Sequence, residues 1–190
     1  MPPREFLRPG APRLDDSGVT IEILVPTTRT LGGATRAILD QLLGSGFFNI
    51  DSPTTPYVLA ELMNVDTEEW AARVPEESSA EELSEAIKAD RQIVRVKIDL
   101  RVGHFLLFPG FVILCRPDPY EEFETDPRAR QIVGREALEL AQAFLAPEIV
   151  IAGDAASDFL GSEATTWEGL KEVLEEEVIP HTVIPIPARA

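Results

Sequence analysis

The chain has 190 residues, 44% of them hydrophobic, with 17 basic against 33 acidic side chains and a net charge of −16. That size and apolar content suffice for one domain with its own core, without disulfides or metals. The single cysteine, Cys115, excludes an internal disulfide and fits a reducing cytoplasm.

No targeting signal or membrane span is expected. The N terminus lacks the apolar core of a signal peptide, and Pro109-Gly110 interrupts the longest apolar run, Phe105 to Cys115. Fourteen arginines against three lysines point to GC-rich coding in a bacterium. The negative charge is concentrated. Residues 61–85 carry nine acids against Arg73, residues 118–126 carry five acids and no base, and residues 163–177 carry six against Lys171. Outside these stretches the chain is slightly positive. Segregated charge directs a field toward a partner and repels the phosphate backbone, so a nucleic-acid partner is disfavoured.

Residues 1–17, with Pro2, Pro3, Pro9, Gly10 and Pro12, form a Pro/Arg-rich flexible arm ahead of a single domain spanning 18–190. Val19, Ile21, Ile23 and Val25 alternate as in a strand, and Pro26 closes it. Leu31, Ala34, Ile38 and Leu42 give a helical stripe from about Thr30 to Leu43, stopped by Gly44 and Gly46. Tyr57–Leu62 reads as a second strand. Two acidic helices follow, from Asp66 to Pro75 and from Ser79 to about Ala89, each opened by capping-box spacing. Ile93–Arg101 alternates apolar with charged residues, which predicts a half-exposed strand with a basic outer face carrying Arg95, Lys97 and Arg101.

Phe105–Phe108 and Phe111–Cys115 flank Pro109-Gly110, either as a two-strand hairpin or as one bulged strand, and are apolar enough for the sheet centre. Asp126-Pro127 reads as N-cap and first residue of a helix to about Leu145. Glu148–Asp154 is a buried strand, Thr165-Thr166-Trp167-Glu168 caps a last helix, and Thr182–Ile186 is an edge strand because of Pro185. The expected fold is α/β or α+β, a mixed sheet covered by helices, in roughly two βαβαβ-like halves.

Three segments invite chemistry. Arg29, Gly32 and Gly33 lie where a strand gives way to a helix, a place that can hold an anion, although no phosphate-loop or dinucleotide motif is present. Asp154, Asp158 and Glu163 follow the end of a buried strand and could hold a ligand or Mg²⁺. Tyr120, Glu121, Glu122, Phe123, Glu124 and Asp126 combine aromatics with uncompensated acids, a composition suited to docking on a basic surface. No catalytic residue is assigned and no cofactor is expected. His104 or His181 would have to stand beside a nucleophile to build a triad, and one cysteine with two histidines is too few for a zinc site.

In size, charge and lack of a catalytic motif the chain resembles the small acidic immunity proteins that bacteria make against their own secreted toxins. That resemblance implies a non-enzymatic binding protein that blocks a cationic surface, with a basic protein as partner. The alternatives are an enzyme using Asp154 and Asp158, with Mg²⁺ as its metal, and a structural or homo-oligomeric component whose basic arm docks on another copy.

Overall fold

A computed structural model describes residues 20–43, 57–62, 80–89, 93–99, 103–153 and 166–187. The expected N-terminal arm, the helix from Asp66 to Pro75, and Asp154, Asp158 and Glu163 lie outside the described residues. In chain order the elements are β1 (Thr20–Pro26), α1 (Leu31–Ala37, continued by a π-helical turn, Ile38–Leu43), β2 (Tyr57–Leu62), α2 (Ala80–Ala89), β3 (Ile93–Asp99), β4 (His104–Phe108) and β5 (Phe111–Pro119). They continue with α3 (Tyr120–Thr125), α4 (Pro127–Phe144), β6 (Glu148–Gly153), α5 (Trp167–Glu176) and β7 (His181–Pro185).

The seven strands form one sheet in the order β2-β3-β4-β5-β1-β6-β7. Every pairing is antiparallel, so the fold is α+β and the expected mixed sheet is corrected. The two βαβαβ-like halves are not seen either. β1 leaves the first half to lie between β5 and β6, where both of its faces are buried.

Strand alternation divides the core in two. On one face Ile21, Ile23, Phe105, Leu107, Ile149 and Ile151 meet Ala34 and Ile38, Ile87 of α2, and Val133, Ala137, Leu140 and Phe144 of α4. On the other face Leu24, Phe111, Ile113 and Val150 meet Leu170 and Leu174 of α5. Each fully buried Leu contributes about 1.5–3 kcal/mol by leaving water. α5 is also pinned at its start. Glu148 Oε1 accepts hydrogen bonds from Trp167 Nε1 at 2.7 Å and Lys171 Nζ at 2.8 Å. The Lys171 bond, with help from Trp167, holds the Glu148 carboxyl below its ordinary range, and Glu148 in turn raises Lys171.

Local signals account for most boundaries. The Asp126 side chain accepts from the Arg128 N–H and Pro127 opens α4. Thr166 caps α5 by accepting from the Gly169 N–H, one residue later than Thr165, which the sequence spacing had favoured. Pro109-Gly110 is a two-residue hairpin turn: Phe108 faces Phe111 in the ladder, and Gly110 has φ +99°. In β3, Val96 and Ile98 are fully buried while Arg95 and Lys97 are half-buried on the opposite side, with Arg95 5.6 Å over the Phe108 ring.

Two helical glycines should respond oppositely to Ala. At Gly32 an added Cβ would lie 2.5 Å from the Ser84 carbonyl oxygen, so Gly32→Ala pushes α1 off α2 and destabilises. At Gly134 nothing lies within 4 Å, so Gly134→Ala should stabilise by about 0.5–1 kcal/mol through helix propensity alone. Urea denaturation of the two variants checks the pair.

Candidate functional site

The acidic segment after β5 divides by burial. Tyr120 is 5% exposed, sits in the core with its ring 5.6 Å from that of Phe123, and shares a side-chain hydrogen bond with Thr182. Phe123 packs half-buried against the same core, and Asp126 is occupied as the α4 cap. Glu121, Glu122 and Glu124 remain exposed. The aromatics therefore anchor α3 to its own protein, and three carboxylates face outward.

The anion-binding candidates do not converge. An Arg29 guanidinium N–H donates to the Ala143 carbonyl at 3.1 Å, and the group lies 6.0 Å from the centre of the Phe144 ring. The Gly33 N–H is used by the Thr30 cap, and Gly32 faces Ser84 of α2. This strand-to-helix turn is spent on holding α1 and α4 together.

Buried polar chemistry gathers instead at the end of the sheet where β5 and β6 finish and β1 begins. Arg116 projects toward α4, opposite Ile21 in the ladder. Its Nε donates to Asp118 Oδ2 at 2.8 Å, and its Nη1 donates to Glu136 Oε2 of α4. All three side chains are under one-tenth exposed. A register shift between Thr20 and Ile21 lets the chain place Arg116 and Asp118 together, two residues apart. Burial pushes the Asp118 carboxyl above its ordinary range, against the charge and hydrogen bond of Arg116, which pull it down.

The opposite face of the same sheet end carries a second group. In the ladder His104 stands directly across from Cys115, Cys115 from Glu22, Glu22 from Ala152, and Ala152 from His181. Directly opposed residues share a face, and with Asp99 across from His104 and Tyr57 across from Asp99 the row runs through all seven strands of the sheet. Cys115 is 9% exposed and Glu22 only 1%, and the thiol Sγ lies 4.0 Å from Glu22 Oε1, the long limit of an S–H···O contact. Among the described residues no group of three or more His, Cys, Asp or Glu side chains is arranged to hold a metal ion, and no helix is long and apolar enough to cross a membrane.

Sequence reasoning missed both groups. The signals were present: Arg116 and Asp118 at strand spacing, and a two-residue turn that fixes the hairpin register and so sets His104 against Cys115. Comparison with protein-family models, with curated proteins and with solved structures gave no match.

Removing the cation from the first group leaves two carboxylates buried without it. Arg116→Met should therefore cost about 3–5 kcal/mol at neutral pH, and less in acid, where the carboxyls can take up protons. Asp118 supplies the sign check. Its folded pKa lies above the unfolded one, so the folded state binds the extra proton, and this contribution is lost as pH rises from the ordinary aspartate range through the raised value. The stability of Asp118→Asn relative to the parent should rise across that window. Urea titrations at several pH values check both variants.

Proposed function

We propose that the protein works by binding a basic protein surface through its exposed acids, chiefly those of α5, joined by Glu121, Glu122 and Glu124. What carries this reading is a helix end built against its own stability. Glu168, Glu172, Glu175 and Glu176 are exposed at helical spacing on the outer face of α5, where like charges four residues apart repel. Glu175, Glu176 and Glu177 crowd the C-terminal end, where the helix dipole already presents negative charge, and no base stands in the last turn. Lys171, the one base of this helix, is turned to Glu148 and Glu168.

Val178 closes the same end in the left-handed region, at φ 54°, and is 85% exposed. A β-branched residue there is strained by about 1–3 kcal/mol. Acids around an exposed apolar side chain offer a cationic partner both steering and a contact. The narrower form of this reading is an immunity-type inhibitor covering the cationic surface of a toxin.

Charge reversal separates function from fold here. Glu175→Lys with Glu176→Lys should stabilise the helix by about 0.3–1 kcal/mol per site, because cations suit a helix C-terminus. The same change should slow association with the basic partner and flatten its salt dependence around 0.15 M, where screening acts within about 8 Å. The partner is first isolated by pull-down at low and then high salt, and rates follow by stopped flow. Association as fast as the parent's would sink the proposal, and the matching reversal of Glu121, Glu122 and Glu124 shows which acidic face dominates.

A further inference from the structure

β7 stands at one margin of the sheet, and among the described residues β6 is its only ladder partner. Along an antiparallel strand, alternate residues turn their backbone groups toward a given neighbour. The Gly153 N–H donates to the Pro180 carbonyl at 3.0 Å and the Ile186 N–H to the Pro147 carbonyl at 2.8 Å, which fixes the alternation. Thr182 and Ile184 therefore bond to β6, while His181, Val183 and Pro185 direct their backbone groups outward. Pro185 has no N–H, so the margin offers donors at His181 and Val183 and acceptors at all three.

No charge blunts this margin. Sheet edges are ordinarily protected by charged side chains as well as by proline. From Ile179 to Pro187 there is no Asp, Glu, Lys or Arg, in a chain of which 26% is charged. Thr182, Val183 and Pro185 are exposed. Val183 also ends a row of directly opposed apolar residues, Leu106, Ile113, Leu24, Val150 and Val183, that crosses five strands. Leu24, Ile113 and Val150 are fully buried on the face that α5 covers, whereas Val183 is 43% exposed, so the row runs out into water.

We propose that β7 pairs antiparallel with β7 of a second copy, about a two-fold axis at Val183, joining two sheets into one. In this register the two Val183 residues exchange both backbone hydrogen bonds, and each His181 N–H donates to the Pro185 carbonyl of the other copy. Every outward N–H of the two strands finds a carbonyl. The opposed Val183 side chains carry the apolar row of one sheet into that of the other. A shift of two residues either way would set Val183 against His181 or Pro185 and break the row. That continuity selects a second copy, because strand and register are both self-complementary, and a two-fold contact of this kind closes as a dimer.

The pairing has the opposite salt dependence from acid-steered binding. Each copy carries −16, and Glu175, Glu176 and Glu177 come just before β7, so two copies repel and screening brings them together. The ladder is short, and association is accordingly weak.

Sedimentation of the unaltered full-length chain from about 0.02 to 2 mM should show a monomer–dimer equilibrium that tightens several-fold between about 0.05 and 0.5 M NaCl. Amide exchange should slow at His181 and Val183, by about tenfold where about nine-tenths of the chain is paired, and stay unchanged at Thr182 and Ile184, already bonded to β6. Val183→Pro removes an outward donor and leaves the β6 bonds in place, so this variant should melt like the parent and stay monomeric. A monomer at every concentration and salt would overturn the proposal. So would a dimer whose His181 and Val183 amides exchange at the monomer's rate, or one that Val183→Pro leaves intact. Slowing that appears only when polylysine is added as a basic probe, at a fixed low concentration of the chain, would give the margin to a basic partner and sink self-pairing. The exchange measurement needs only the unaltered chain, so it decides the matter even where the variant fails to fold.

Discussion

Ile21, Glu22, Ile23, Leu24 and Val25 of β1 are all within 1% of full burial, and the strand is flanked by β5 and β6. A strand closed on both faces and both edges obliges the rest of the molecule to be a covered sheet. Ile21, Ile23 and Val25 need α1 and α4 on one side, and Leu24 needs α5 on the other. The same closure makes Glu22 an interior residue. In a sheet with one wet face it would be an ordinary outward acid; here it has the cost of a buried polar group and a thiol for a neighbour.

The acids of this protein therefore fall into two physical classes. Those of α3 and α5 stand in water, where each interacts weakly and the sum matters as a field. Glu22, Asp118 and Glu136 sit in a low-dielectric interior at one end of the sheet, where each interaction is strong and each missing partner expensive. Arg116 compensates two of them from one face, and the thiol row occupies the other. Among the described residues every buried charged side chain lies at this end of the sheet, while the other buried polar groups, Thr27, Thr35 and Ser84, are neutral hydroxyls.

Period-two alternation made the strands legible: Ile21, Ile23 and Val25 on one side of β1, and Val96 and Ile98 opposite Arg95 and Lys97 on β3. Caps made α4 legible through Asp126 and α5, one residue off, through the Thr165-Thr166 pair. The order of the strands was not, because pairing is decided between segments far apart in sequence, and nothing near Val19–Val25 says that its neighbours are β5 and β6. For the same reason nothing near Glu22 marks it as interior, since its face of the sheet is covered by a helix from far along the chain. Tyr120 and Phe123 were ambiguous for another: aromatics beside acids suit a docking loop or a short amphipathic helix equally, and the packing of α3 against the core chose the second.

The position of β1 also governs the route by which the protein is made. Ile23 belongs to the first described element in chain order, yet its ladder partners are Leu114 and Ile151. The hairpins β3–β4 and β4–β5 can close on local contacts, whereas β1 must wait, apolar and unpaired, until most of the chain exists. Loop closure over that span is slow, and an open strand with two free edges is the kind of segment that pairs with other chains in the interval. The element that gives the finished sheet its strongest position is thus the one most exposed to misassembly while it forms.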